Sequence, residues 1–236
     1  MYEGLILNPP IFEIGLKGYL YGEEALKLAK AADKICKKYE VSIIFDPQYV
    51  DIPVIAQQTE NIYIFSQHMD SAEIGIGVGS VLPEALKNAG AVGTLLNHTE
   101  KRISLSEINK TIKRADKVGL ATLICTDSPQ EAAAVANLSP NMILAEPPDL
   151  IGSLKSVGKF RKDFILETYK LVKKINPKII VFSSGGIKTA EDVREVIRLG
   201  AEGTGSTSGI LKSREPVKTM EEMIVALKEA WSETNR

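Results

Sequence analysis

The sequence of 236 residues is poor in the side chains that most often support redox, metal or nucleic-acid chemistry. Its two cysteines, Cys36 and Cys125, are far apart along the chain, so we expect reduced thiols with a structural role. His68 lies near Asp70, but two ligands without a nearby cysteine fall short of a zinc site. The 29 basic and 30 acidic residues leave a net charge of -1. This balance excludes a broad basic surface that wraps nucleic acid, although a local patch could still bind a phosphorylated small molecule.

Long apolar runs are also missing. No stretch approaches the roughly 20 apolar residues that a membrane-spanning helix needs. Residues 1–10 have neither the basic start nor the long apolar stretch of a signal peptide. We therefore expect a soluble cytoplasmic protein that binds neither membranes nor nucleic acid.

Short apolar segments recur at nearly even intervals and predict eight β-strands. Several of them are apolar throughout, which is typical of parallel strands covered on both faces. The predicted strands are Ile11–Leu16, Val41–Phe45, Ile62–Ser66, Gly93–Asn97, Ala121–Cys125, Met142–Ala145, Ile179–Ser183 and Thr204–Thr207.

Amphipathic segments alternate with these strands and predict helices. One covers Gly22–Lys38, a second covers Leu105–Val118 with Ser104 or Ser106 as its cap, and a third starts after Thr189 and ends at Gly200. Strand and helix together repeat about every 30 residues, the size of one βαβ step. This pattern predicts a single (β/α)8 barrel domain over residues 1–236. An open doubly wound sheet is the alternative, but no GxGxxG motif follows the first strand.

The functional residues of such a barrel lie where its strands end. Lys17, His98 and Glu146 follow the first, fourth and sixth predicted strands. Turns rich in glycine and serine, Ser184–Gly186 and Ser208–Gly209, follow the last two strands and could offer N–H groups to a phosphate. Together these residues could hold a phosphate, remove a proton and polarise a carbonyl. Singly, each has a plainer explanation, such as a solvated lysine at the rim or a hydrogen-bonded histidine.

Two sequence blocks resemble the triosephosphate isomerase family, most closely its shorter archaeal-type branch. Asn97-His98-Thr99-Glu100-x-Arg102 is similar to the family's Asn-His-Ser-Glu-x-Arg block. The stretch from Glu146 to Gly152 is similar to its Glu-Pro-Pro-Glu-Leu-Ile-Gly lid, and the similarity covers nearly the whole chain. The resemblance implies a TIM barrel that interconverts glyceraldehyde 3-phosphate and dihydroxyacetone phosphate in glycolysis and gluconeogenesis. It also implies a homodimer or homotetramer that needs no cofactor and no metal.

The resemblance assigns a role to each candidate residue. Glu146 would be the base that moves a proton between adjacent carbons, His98 a neutral imidazole that polarises the carbonyl, and Lys17 the source of positive charge. The family is a well-known example of an enzyme whose glutamate base has an adjusted pKa and whose histidine is neutral, so the roles of Glu146 and His98 are taken from it. The remaining implied residues bind phosphate or support the site: Gly152, Ser153, Ser184, Gly185, Gly186, Ser208 and Gly209 for phosphate, and Asn97, Glu100 and Arg102 for support.

The chain departs from the family around the carbonyl-binding side. Gly15 stands where the family has an asparagine that donates to the substrate; a different alignment would place Asn8 there, but Pro10 would then replace the lysine. Glu13 has the same strand parity as Gly15 and should point into the barrel. Three explanations for an inward-pointing Glu13 stay open: it is part of the site, it pairs with a lysine, or the strand assignment is wrong by one residue.

Two loops also differ from the archaeal branch. Gly77-Val78-Gly79 replaces its Thr-Gly after the third strand, and the lid continues Gly152-Ser153-Leu154 where the branch has Gly-Thr-Gly. These departures leave two alternatives open. One is an isomerase of another small phosphorylated aldose or ketose, and the other is a paralogue that binds a phosphorylated ligand without catalysis.

Overall fold

Eight parallel strands close into a barrel in the computed structural model, which describes residues 1–151 and 155–234. Each strand pairs with its neighbours in sequence, and the first strand pairs with the last. The strands are β1 Ile11–Gly15, β2 Ser42–Asp46, β3 Tyr63–Ser66, β4 Gly93–Leu96, β5 Ala121–Thr126, β6 Met142–Ala145, β7 Ile180–Ser183 and β8 Gly203–Gly205. All eight predicted strands are present, and the predicted (β/α)8 barrel is confirmed.

Helices follow the strands and form the outer layer. They are α1 Gly22–Tyr39, α2 Ile52–Ala56, α3 Pro83–Asn88, α4 Leu105–Val118, α5 Pro129–Ala136, α6 Val157–Phe160, α7 Lys162–Ile175, α8 Ala190–Arg198, α9 Ser208–Leu211 and α10 Pro216–Thr234. Two 3₁₀ turns cover Tyr49–Asp51 and Pro148–Leu150. None of the helices in the described part of the chain has the length and apolar character to cross a membrane.

The helix starts follow the capping chemistry of the sequence. Ser104 caps α4 by accepting a hydrogen bond from the Glu107 N–H, which settles the choice between the two serines. Thr189 and Asp192 form a reciprocal capping box at the start of α8. These caps fix where each helix begins after its strand and therefore how long the loop at the rim can be.

Two apolar layers separate the barrel interior from its helical shell. Inward side chains such as Ile11, Ile44, Phe65 and Phe182 pack inside the barrel, and a larger cluster packs between strands and helices. Strands buried on both faces must be apolar at nearly every position, which explains why their sequence does not alternate. The charged exceptions on the inner face are therefore informative, and they lie towards the end of the barrel where the strands finish.

Candidate active site

A cavity of about 480 Å³ opens at the carboxyl ends of the strands. The first, fourth and sixth strands bring Lys17, His98 and Glu146 to its wall, and the loops after β7 and β8 close another side. Other predicted site residues line the same cavity: Gly15, Glu100, Gly185, Gly186 and Ser208. Residues as far apart in sequence as Gly15 and Ser208 thus face one space.

Lys17 is held in an unusual backbone conformation at the end of β1. Its φ is +48°, a left-handed value that a lysine adopts only when its surroundings enforce it. The side-chain amides of Gln48 and Gln67 both donate to its carbonyl oxygen, at 2.5 and 3.0 Å. Its ammonium donates to the Glu100 carboxylate at 2.7 Å. The lysine charge is thereby fixed at the cavity wall while its side chain stays largely buried.

His98 is positioned as a neutral hydrogen-bond donor. The N–H of Glu100 donates to His98 Nδ1 at 3.1 Å, so the ring hydrogen of the neutral form lies on Nε2. Burial, helped by the nearby Lys17 charge, lowers the pKa of His98 below its ordinary value. Nε2 lies 3.9 Å from Oε2 of Glu146. An imidazole N–H and a carboxylate therefore face each other across the site.

Glu146 directly follows the buried strand β6. Its N–H donates to the Thr126 carbonyl at 2.9 Å, and Pro147 and the 3₁₀ turn after it lead the chain away from the barrel. Burial, together with the negative charge of Glu13, raises the pKa of Glu146 to about 7, although Lys17 acts in the opposite direction. A carboxyl group with this pKa is well matched to accepting and returning a proton near neutral pH.

Asn97 and Arg102 brace the loop after β4 from behind. The Asn97 amide donates to the Cys125 carbonyl at 2.9 Å, and its oxygen accepts from the Ile103 N–H at 3.1 Å. Arg102 donates to the Asn97 carbonyl and forms an ion pair with Glu131. These contacts hold the backbone of His98, which lies next to Asn97, in place.

The two glycine-containing turns differ in what they offer to a ligand. Gly185 and Gly186 have φ values of +114° and +70° and line the cavity. The Ser184 N–H, by contrast, already donates to the Ala145 carbonyl, and its hydroxyl accepts from the Gly205 N–H, so this residue supports the turn from inside. Gly209 packs against residues 187 and 188, where a Cβ would come within 2.8 Å of a backbone atom. Gly152 and Ser153 lie outside the described residues.

Comparison with known proteins identifies the family. The sequence model described as triosephosphate isomerase matches residues 10–225. The chain belongs to the triosephosphate isomerase family. It is 41% identical over 221 residues to a triosephosphate isomerase of Methanobacterium bryantii, covering 93% of this chain and 97% of that protein. It is 37% identical over 223 residues to one of Methanothermus fervidus, covering 94% and 100%, and 39% identical over 221 residues to one of Sulfurisphaera tokodaii, covering 93% and 96%.

Family membership confirms the expected enzyme class, an intramolecular aldose–ketose isomerase, and the resemblance to archaeal members. Within that family the structure adds residues that sequence reasoning missed. Asp46 ends β2 inside the barrel, and Gln48 and Gln67 hold the strained backbone at Lys17. The signal for Asp46 was available, because it is an acidic residue directly after three apolar ones, as Glu146 is. Glu13 does point into the barrel, where both Asp46 and Lys17 act on its pKa.

Proposed function

We propose that this chain interconverts glyceraldehyde 3-phosphate and dihydroxyacetone phosphate with Glu146 as its base. The observation that carries the proposal is the pair of Glu146 and neutral His98, 3.9 Å apart across a cavity with Lys17 on its wall. The Glu146 carboxylate removes the proton from carbon 2 of the aldehyde and returns it to carbon 1, while a second proton passes from the oxygen on carbon 2 to the oxygen on carbon 1, so that the aldehyde becomes a hydroxyl and the hydroxyl a ketone. The His98 Nε2–H donates to the carbonyl oxygen as negative charge develops there.

Lys17 stabilises the charge that the reaction creates. An ammonium at the cavity wall offsets the negative charge of both the enediolate and the phosphate. We assign the phosphate to the turns at Gly185–Gly186 and Ser208, where the backbone faces the cavity, and to Gly152 and Ser153 of the lid. Val157, the first residue of α6, donates its N–H to the Gly185 carbonyl at 2.9 Å, which holds the start of this helix against the turn that we assign to the phosphate.

The test is a coupled assay of the purified chain with glyceraldehyde 3-phosphate. Glu146→Gln keeps the shape of the base and removes its proton-accepting ability, so we expect kcat to fall by ~10²–10⁴. Glu215→Gln is the matched control, because it removes an exposed carboxylate that pairs with Lys218 and does not line the cavity. Equal activity of Glu146→Gln and Glu215→Gln would rule out Glu146 as the base, and a wild-type chain without turnover would refute the reaction.

We also propose that the chain acts as a cytoplasmic homodimer or homotetramer. The loop between β3 and α3 presents Ile74, Ile76 and Val78 almost fully to solvent. Apolar side chains clustered in this way favour burial against a second copy. Sedimentation of the wild type and of Ile76→Lys tests this. A monomer at micromolar concentration, or a lysine variant with unchanged sedimentation, would contradict it.

A further inference from the structure

Two carboxyl groups inside the barrel have no part in the proposed proton transfer. Glu13 lies in the middle of β1 and Asp46 at the end of β2. In the β1–β2 pairing Asp46 is opposite Gly15, two residues beyond Glu13, so both side chains point to the inner face. Both residues line the cavity that holds Lys17 and Glu146, and each acts on the pKa of the other, so the two carboxyl groups are neighbours.

One proton has to be shared by this pair. Asp46 is 1% exposed, and among the described residues no N–H or O–H group donates to either of its oxygens. Two adjacent buried carboxylates cannot both be ionised at low cost. Burial, followed by the neighbouring Glu13 charge, raises the pKa of Asp46 well above its ordinary value. Burial raises the pKa of Glu13 as well. Because Asp46 is the deeper of the two residues, we place the shared proton on Asp46 and take Glu13 as the acceptor.

The position of the Glu13 carboxylate explains two glycines. It lies between Gly15 on its own strand and Gly205 on β8, which pairs with it. A Cβ at Gly15 would lie 2.5 Å from Glu13 Oε1, and one at Gly205 would collide with the other carboxylate oxygen. Neither glycine has the positive φ that would otherwise require it. Glu13 thus fills the space beside the site that a side chain at position 15 would occupy.

We propose that Glu13, supported by Asp46, binds a hydroxyl group of the substrate and so determines specificity for hydroxyl-bearing phosphorylated trioses. A carboxylate can only accept, so it recognises an O–H donor and not a bare carbonyl. Both substrates of the proposed function carry such a hydroxyl on the carbons that react. The identity of the substrate rests on that proposed function, whereas the preference for a hydroxyl is a property of the pair itself.

Calorimetric titration with two probes tests this on the full chain. Glycerol 3-phosphate offers hydroxyls beside its phosphate, and propyl phosphate offers none. We expect the wild type to prefer glycerol 3-phosphate, and Glu13→Gln to weaken this preference by ~3–10-fold, because a neutral acceptor binds a hydroxyl less tightly than a charged one. Glu13→Met, which has no acceptor oxygen, should abolish the preference. Propyl phosphate should bind the wild type and both variants with similar affinity, because the phosphate turns are untouched.

Asp46→Asn is the matched control. Its amide N–H replaces the acid O–H as donor to Glu13, so this variant should keep the preference for glycerol 3-phosphate. An unchanged preference for glycerol 3-phosphate in both Glu13 variants would overturn the proposal. It would also be overturned if Asp46→Asn lost this preference as fully as Glu13→Met, because Asp46 could then not be the donor to Glu13. Turnover of trioses is measured separately. Its absence in the wild type would refute the proposed function without altering the result of the binding test.

Discussion

The pH dependence of kcat/KM offers a direct test of the chemistry assigned to Glu146. The pKa of this group is raised to about 7, first by burial and then by the charge of Glu13. Only the ionised carboxylate can take a proton from the substrate, so activity should fall as pH falls through this value. The ionised fraction is about nine-tenths at pH 8, about one-half at pH 7 and about one-tenth at pH 6. Relative to its plateau, kcat/KM should follow these fractions.

The coupled assay at constant ionic strength between pH 5.5 and 9 measures this acid limb. The phosphate of the substrate also titrates, near pH ~6, so a variant has to separate the two groups. The double variant Glu13→Gln with Asp46→Asn removes the negative charge that raises the pKa of Glu146. Its acid limb should therefore move to lower pH, whereas a limb set by the substrate would not move. A limb near the ordinary glutamate value of 4.5, or an identical limb in both proteins, would refute the reasoning.

Four further predictions concern stability, the electrophile and the phosphate turn. The folded state raises the pKa of Asp46, so the contribution of this residue to the free energy of unfolding falls as pH rises above 3.8. Asp46→Asn should therefore raise Tm, by ~2–4 °C for each kcal/mol recovered. Thermal unfolding should show a larger increase at pH 8 than at pH 5. Burial alone would raise the pKa of Asp192, but the hydrogen bonds that its carboxylate accepts lower the pKa overall. Asp192→Asn should therefore lower Tm at pH 8, and this loss should become smaller as pH approaches 3. A gain from Asp46→Asn that does not depend on pH would contradict the shared proton. His98→Gln should lower kcat by ~10²–10³, since it replaces the aligned donor, and a fall of less than about three-fold in steady-state assays would exclude this role. Gly186→Ala should raise KM by about ten-fold or more, because a Cβ there would lie 2.8 Å from the backbone carbon of Lys155; an unchanged KM would show that the turn tolerates the shift.

The sequence was sufficient to predict the barrel and the three polar residues that meet at its cavity, for a physical reason. Strands covered on both faces leave a continuous apolar signal, and polar residues at their ends, such as Lys17 and Glu146, stand out against it. The caps of α4 and α8 are equally local, because Ser104 and Thr189 bind backbone groups three residues away.

What the sequence could not supply depends on contacts between strands. The meeting of Glu13 with Asp46 follows from the β1–β2 register, which no local pattern encodes. The ring tautomer of His98 depends on a single N–H, that of Glu100, in the following turn. The strained backbone of Lys17 depends on two side-chain amides, from the loops after β2 and β3. In each case the deciding partner belongs to another part of the chain or to the detailed path of a loop.

The crowding around Glu13 has a consequence for how this branch of the family could change. Restoring a side chain at Gly15 while Glu13 is present would force two groups into one space, because a Cβ there would lie 2.5 Å from the carboxylate. Gly15→Asn alone should therefore be harmful, although the same change could be tolerated once Glu13 has become smaller. Asp46 would in turn lose its partner when Glu13 is replaced. The three positions are therefore epistatic: a substitution at one of them is tolerated only when the other two carry compatible side chains, so the order of the substitutions matters.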